Sequence, residues 1–209
     1  MNNMLDNETR RFFMREAASL APVLYPILDD ALAETMKRLR KYDARDEPLL
    51  HAHHRRAAFR RRAKVEGVLP AGWAVRGNSR LGGQMLLTNQ NERASLRVLS
   101  ESKTNANGGP HAGHNLARQE AWLGREVFSD GELISDRNLL LLMDTTLAMP
   151  SLRIVHTTSR GKYKGRVECD FRVPFLRDAA EYEHASFDGA DEEEDLFAAF
   201  IEDEGLSDV

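Results

Sequence analysis

YKGRVECDFRVPF, residues 163–175, decides the fold class. Tyr163, Val167, Cys169, Phe171, Val173 and Phe175 fall on one side of an extended chain, and Lys164, Arg166, Glu168, Asp170 and Arg172 on the other. Successive side chains of a strand point to opposite faces, so this alternation reads as a strand with one face on a core. The apolar run 152–158 and the turn 159–162 place a second strand beside it as a hairpin. Toward the N-terminus, the apolar runs 84–88 and 94–99 flank the polar turn Asn89-Gln90-Asn91-Glu92 and predict another hairpin. Between the hairpins, 104–110 is Asn- and Gly-rich and reads as loop. Asn115 caps a short helix over 116–123, which Gly124 closes. The run 139–143 is apolar but too short for its period to choose between helix and strand.

The first third of the chain has a different period. Residues 8–42 read as helix in two pieces, because Pro22 and Pro26 would damage the interior of a continuous one. The second piece carries Leu24, Ile27, Leu28, Leu32, Met36 and Leu39 near the helical repeat. A turn at 43–48 leads into a third helix over 49–65, closed by Gly67, Pro70 and Gly72. The expectation is an α+β protein in three parts. Residues 1–66 form a helical module ending in a basic helix, 67–177 a mainly antiparallel sheet with a short helix, and 178–209 an acidic, partly disordered tail.

Charge is split along the same lines. Thirteen of the 33 acidic residues and none of the 29 basic ones lie in 178–209, so the body carries +9 and the tail −13. A basic body suits a polyanionic partner, and an acidic tail with apolar residues suits a protein partner or masking of the basic surface. Arginines outnumber lysines 23 to 6, which fits a GC-rich bacterial genome and also bidentate phosphate contacts. No apolar run approaches the roughly 18 residues of a membrane span. The N-terminal residues, with Asp6, Glu8, Arg10 and Arg11, lack a signal-peptide core. Cys169 is the one cysteine, so no intrachain disulfide forms. These features predict a cytoplasmic protein.

Four constellations carry candidate chemistry. Arg55, Arg56, Arg60, Arg61, Arg62 and Lys64 give the third helix six cations that face only Glu66 just beyond its end, the footprint of a phosphate-binding helix. Arg160 and Lys162 at the turn of the second hairpin could hold phosphates in the same way. In the tail, Leu196, Phe197, Phe200 and Ile201 form a short apolar stripe after the acids 191–195, which reads as a protein-docking segment that folds on binding. The acids favour the start of such a helix, whereas Glu202, Asp203 and Glu204 oppose its end.

The fourth is Glu101-Ser102-Lys103, whose E-x-K form resembles half of a PD-(D/E)xK nuclease site. That chemistry needs clustered carboxylates around Mg²⁺, and no Asp lies between Asp46 and Asp130. The histidine pairs His51/His54 and His111/His114, with His53, lack the further ligands that zinc needs. HExxH, P-loop, GxGxxG and CxxC are absent from the sequence. No catalytic, metal or cofactor site is therefore expected. The leading expectation is a non-enzymatic, DNA-binding regulatory protein whose acidic tail binds a protein or masks the basic surface. A protein-binding inhibitor or adaptor, such as an antitoxin-like or phage-defence component, is a different class, and a metal-dependent nuclease is the third.

Overall fold

The computed structural model describes residues 5–65, 67–78, 84–101, 127–129, 132–135, 137–145, 149–159, 165–178 and 180–182. It divides into two compact units, Met1–Phe175 and Leu176–Val209. In the second unit, Leu176 N–H donates to the Tyr182 hydroxyl at 2.7 Å.

The first unit opens with one helix, not two. Helix α1 runs without a break over Asn7–Arg38. Asp6 caps it, accepting from the Thr9 backbone N–H at 2.8 Å and from the Thr9 hydroxyl at 2.7 Å. The two-piece expectation fails because of where the prolines sit. Pro22 and Pro26 are four residues apart and both exposed, so they share the outer face. The carbonyls of Ala18 and Pro22, which lose their helical N–H partners, therefore face water and not the core. Phe13, Ala17, Leu20, Leu24, Leu28 and Ala31 line the opposite face and are fully buried. Helix α2 spans Pro48–Ala63, with proline at its start where the missing N–H costs nothing. It packs through Ala58, Phe59 and Ala63.

Among the described residues eight strands follow: β1 Trp73–Arg76, β2 Leu86–Asn89, β3 Ala94–Glu101, β4 Val127–Ser129, β5 Glu132–Ser135, β6 Arg137–Asp144, β7 Ser151–Thr157 and β8 Cys169–Pro174. Six form a mixed sheet in the order β1-β2-β3-β6-β7-β8, and β4 pairs with β5 separately. Both expected hairpins are present as the antiparallel pairs β2/β3 and β7/β8. The α+β class holds, with two corrections. Pairing is not antiparallel throughout: β3 and β6 run parallel, in register from Ala94↔Arg137 to Glu101↔Asp144. A parallel pair cannot be joined by a tight turn, and the chain from 102 to 136 makes this connection. The last strand is also shorter than 163–175, although Thr158 N–H to Glu168 O at 2.9 Å extends its pairing. The alternation itself persists, with Val167, Phe171, Val173 and Phe175 buried and Glu168 exposed. The expected helix at 116–123 lies outside the described residues.

Strand β1 was not anticipated. Its end is shaped by Gly77, at φ +93, where an added Cβ would meet the Gln84 carbonyl oxygen at 3.0 Å. Leu140, Leu142, Val155 and Val167 form one core cluster against a sheet face, with Leu99 and Cys169 packed on it. Leu139, Leu141 and Met143 alternate to the opposite face and are equally buried. Tyr25 ties α1 to the sheet: its hydroxyl donates to Phe175 O at 2.6 Å and accepts from Leu152 N–H at 3.2 Å.

Asp170 fastens the start of α1 to β7 and β8. It accepts from Leu5 N–H at 2.7 Å, lies 2.5 Å from His156 Nδ1 and is 3.6 Å from Arg10. Burial pushes its carboxyl pKa up, but the Leu5 and His156 hydrogen bonds outweigh that and leave it below the ordinary aspartate value of 3.8. Asp6 is lowered as well, through its bonds from Thr9. A carboxyl whose pKa is lower folded than unfolded stabilises the fold above its unfolded pKa, and that contribution is lost as pH falls through the folded value. Acid unfolding should therefore set in below about pH 4, with wild type losing more stability there than Asp170→Asn. Equal acid sensitivity of the two in denaturant titrations would remove Asp170 from this role.

Candidate nucleic-acid interface

The C-terminal end of α1 is basic. Lys37 and Arg38 occupy its last turn, Leu39 N–H closes it on Thr35 O at 2.9 Å, and Arg40 and Lys41 follow. Cations here complement the negative end of the helix dipole. Helix α2 packs on α1 and carries Arg61 and Arg62 to the same place, where both meet Glu34. Glu34 Oε2 accepts from Arg61 Nη2 at 2.6 Å and Arg62 Nη1 at 2.5 Å, while Oε1 pairs with Arg38 Nε at 2.9 Å. Arg62 Nε is also 3.5 Å from Asp30. The hydrogen bond from Arg62 and the charges of Arg61, Arg62 and Arg38 hold the Glu34 carboxyl below its usual range, against the opposing effect of burial. Together these residues line a cleft of about 840 Å³ whose six cations face only Asp30 and Glu34, a net charge of +4.

The basic helix does not present one continuous phosphate-facing surface. Arg61 and Arg62 turn to α1, and their carboxylate partner comes from that helix and not from i±4. Arg60 bonds backbone carbonyls instead, Gly77 O at 2.5 Å and Gln84 O, which joins α2 to the β1–β2 connection. Arg55 and Arg56 are half-buried. Burial lowers both guanidinium pKa values; the neighbouring Arg56 adds to the effect at Arg55, and Asp144 opposes it. Lys64 is exposed at the end of the helix. Arg160 and Lys162, and the tail residues Leu196, Phe197, Phe200 and Ile201, lie outside the described residues.

Two of the three histidines of α2, His54 and His51, have structural partners. The Thr35 hydroxyl donates to Ala31 O at 2.7 Å, so His54 Nδ1, 3.0 Å from that same hydroxyl oxygen, must be the donor. His51 Nε2 lies 3.0 Å from Tyr42 O and likewise donates. His111 and His114 lie outside the described residues, and among those described no three His, Cys, Asp or Glu gather as metal ligands.

Glu101 of the E-x-K tripeptide sits beside Asp144 at the carboxyl ends of the parallel strands. Both are buried, and Arg153 of β7 engages Glu101 through Nη2 to Oε1 at 2.5 Å and Nε to Oε2 at 3.1 Å. That bidentate pairing occupies both oxygens of Glu101. Cys169 is half-buried, and burial raises its thiol pKa, the opposite of what a reactive thiolate needs.

Comparison with known proteins gave no match: no family model fits the chain, and no curated protein or solved structure is significantly similar to it. Among the described residues, no helix is long and apolar enough to cross a membrane.

Sequence reasoning singled out Arg61 and Arg62 and missed the other half of the cleft. Its signal was legible as KRLRK at 37–41, four cations in five residues at the end of an apolar helical stripe.

Proposed function

We propose that the chain is a non-enzymatic, DNA-binding regulatory protein that grips the phosphate backbone with the α1–α2 cleft. The observation that supports this reading is the +4 charge of that cleft, assembled from two helices of a body that is itself at +9. Clustered Lys and Arg release counterions from a polyphosphate when they bind it, and such binding carries affinity without reading sequence. The acidic tail at −13 is a tethered competitor for the same surface, or recruits a protein through Leu196, Phe197, Phe200 and Ile201.

The test is a salt titration of affinity for unrelated DNA duplexes. Changing Lys37, Arg40 and Lys41 together to Gln should weaken binding similarly for every sequence. It should also flatten the log–log salt dependence by roughly 0.9 for each phosphate that the variant no longer neutralises. An unchanged slope in the folded variant would place the phosphate-binding surface elsewhere on the protein. Deleting 178–209 should tighten binding at low salt if the tail competes, with the gain vanishing as salt screens both interactions.

A further inference from the structure

We infer that Glu34 is a positioning residue of the cleft, holding the guanidinium groups of Arg38 and Arg61 as a preset pair for one phosphate group. The inference rests on the polyanion-binding reading and assigns a job to the one carboxylate on which three of the cleft's arginines converge. Three guanidinium groups repel one another, and long, rotamer-rich side chains have no reason to share a site without a common partner. Glu34 is that partner, with hydrogen bonds or ion pairs of 2.9, 2.6 and 2.5 Å to Arg38, Arg61 and Arg62.

Exposure separates the roles. The Glu34 side chain is 12% exposed, whereas Arg38 and Arg61 are 63% and 61% exposed. The carboxylate therefore lies beneath the guanidinium groups and does not block them. Each guanidinium carries five N–H donors in a rigid fork, and Glu34 takes one from each arginine. The outer donors of Arg38 and Arg61 remain within reach of a phosphate oxygen, and the cluster keeps a charge of +2 after Glu34 is counted. Arg62, at 26% exposure and also near Asp30, is the inner strut of the array. Fixing donors before the ligand arrives removes the ordering cost from binding.

Glu34→Gln separates this from simple electrostatics because the two predict opposite signs. The substitution makes the cleft more positive by one charge, so charge alone predicts tighter binding of a random-sequence duplex. Positioning predicts weaker binding, by about threefold to tenfold, the cost of ordering one or two arginine side chains on binding. Glu34→Asp keeps the carboxylate and should recover part of that loss. A second measurement does not depend on any variant folding: in wild type, adding duplex should shift the arginine Nε–H resonances of Arg38 and Arg61. Affinity for Glu34→Gln equal to or above wild type, or unshifted resonances, would overturn the inference. If wild type and the Lys37/Arg40/Lys41 variant share one binding curve, the cleft reading falls and the role of Glu34 with it. A weakened Lys37/Arg40/Lys41 variant beside a tighter Glu34→Gln leaves the cleft standing and removes only the positioning.

Discussion

Glu101→Ala should destabilise the fold by about 3–5 kcal/mol in denaturant titrations, the cost of breaking a buried ion pair by removing one partner. The side chains of Glu101 and Arg153 are 4% and 11% exposed, and their two hydrogen bonds join β3 to β7 across β6. Removing the carboxylate takes from Arg153 both of its hydrogen bonds to Glu101, on a buried sheet face that carries Asp144 as well as Leu140, Leu142 and Val155. The paired replacement Glu101→Leu with Arg153→Met removes both charges and should recover most of the loss, since apolar substitutes for a buried pair are often neutral or better. A loss below about 1 kcal/mol for Glu101→Ala, the range of exposed pairs, would show that Arg153 is held without Glu101, by water or by another group of that face.

Phe59→Ala should cost about 3–5 kcal/mol, as truncation of a buried aromatic ring does. Phe59 is fully buried and is the one large apolar side chain that α2 buries; Ala58 and Ala63 supply the rest. The consequence reaches the cleft, because α2 carries Arg61 and Arg62 to Glu34. DNA binding should weaken along with stability in this variant. Leu49→Ala, at the 74%-exposed start of the same helix, should stay within about ±0.5 kcal/mol. Similar small losses at both positions would mean that α2 is not anchored through Phe59.

The β7/β8 hairpin was legible because β8 alternates between core and solvent, and the β2/β3 hairpin because two apolar runs flank a polar turn, although β2 is buried at all four positions. Phe171 and Val173 are buried while their neighbour Arg172 is half-buried, and a period of two survives in the sequence. Strand β6 offers no alternation to read. It is the central parallel strand, buried along nearly its whole length, so Leu139 to Met143 show no period at all. Pro22 and Pro26 misled in the other direction: their spacing of four puts them on the solvent face of one helix, a detail that a rule against interior proline does not weigh. The cleft was half legible. A charge run on one helix shows where cations are, but Glu34 and the 37–41 run reach Arg61 and Arg62 only through the packing of α2 on α1. Arg60 shows the converse, a cation whose bonds to Gly77 and Gln84 no sequence pattern announces.

Lysine footprinting tests the central claim most directly. Lys37, Lys41, Lys64, Lys103, Lys162 and Lys164 are all the lysines of the chain, so acetylation of each can be followed with and without duplex DNA. The cleft predicts protection of Lys37 and Lys41 at low salt that disappears at high salt, with Lys64 little changed. Protection confined to Lys162 and Lys164, or no protection at Lys37 and Lys41 under conditions where duplex is bound, would contradict it.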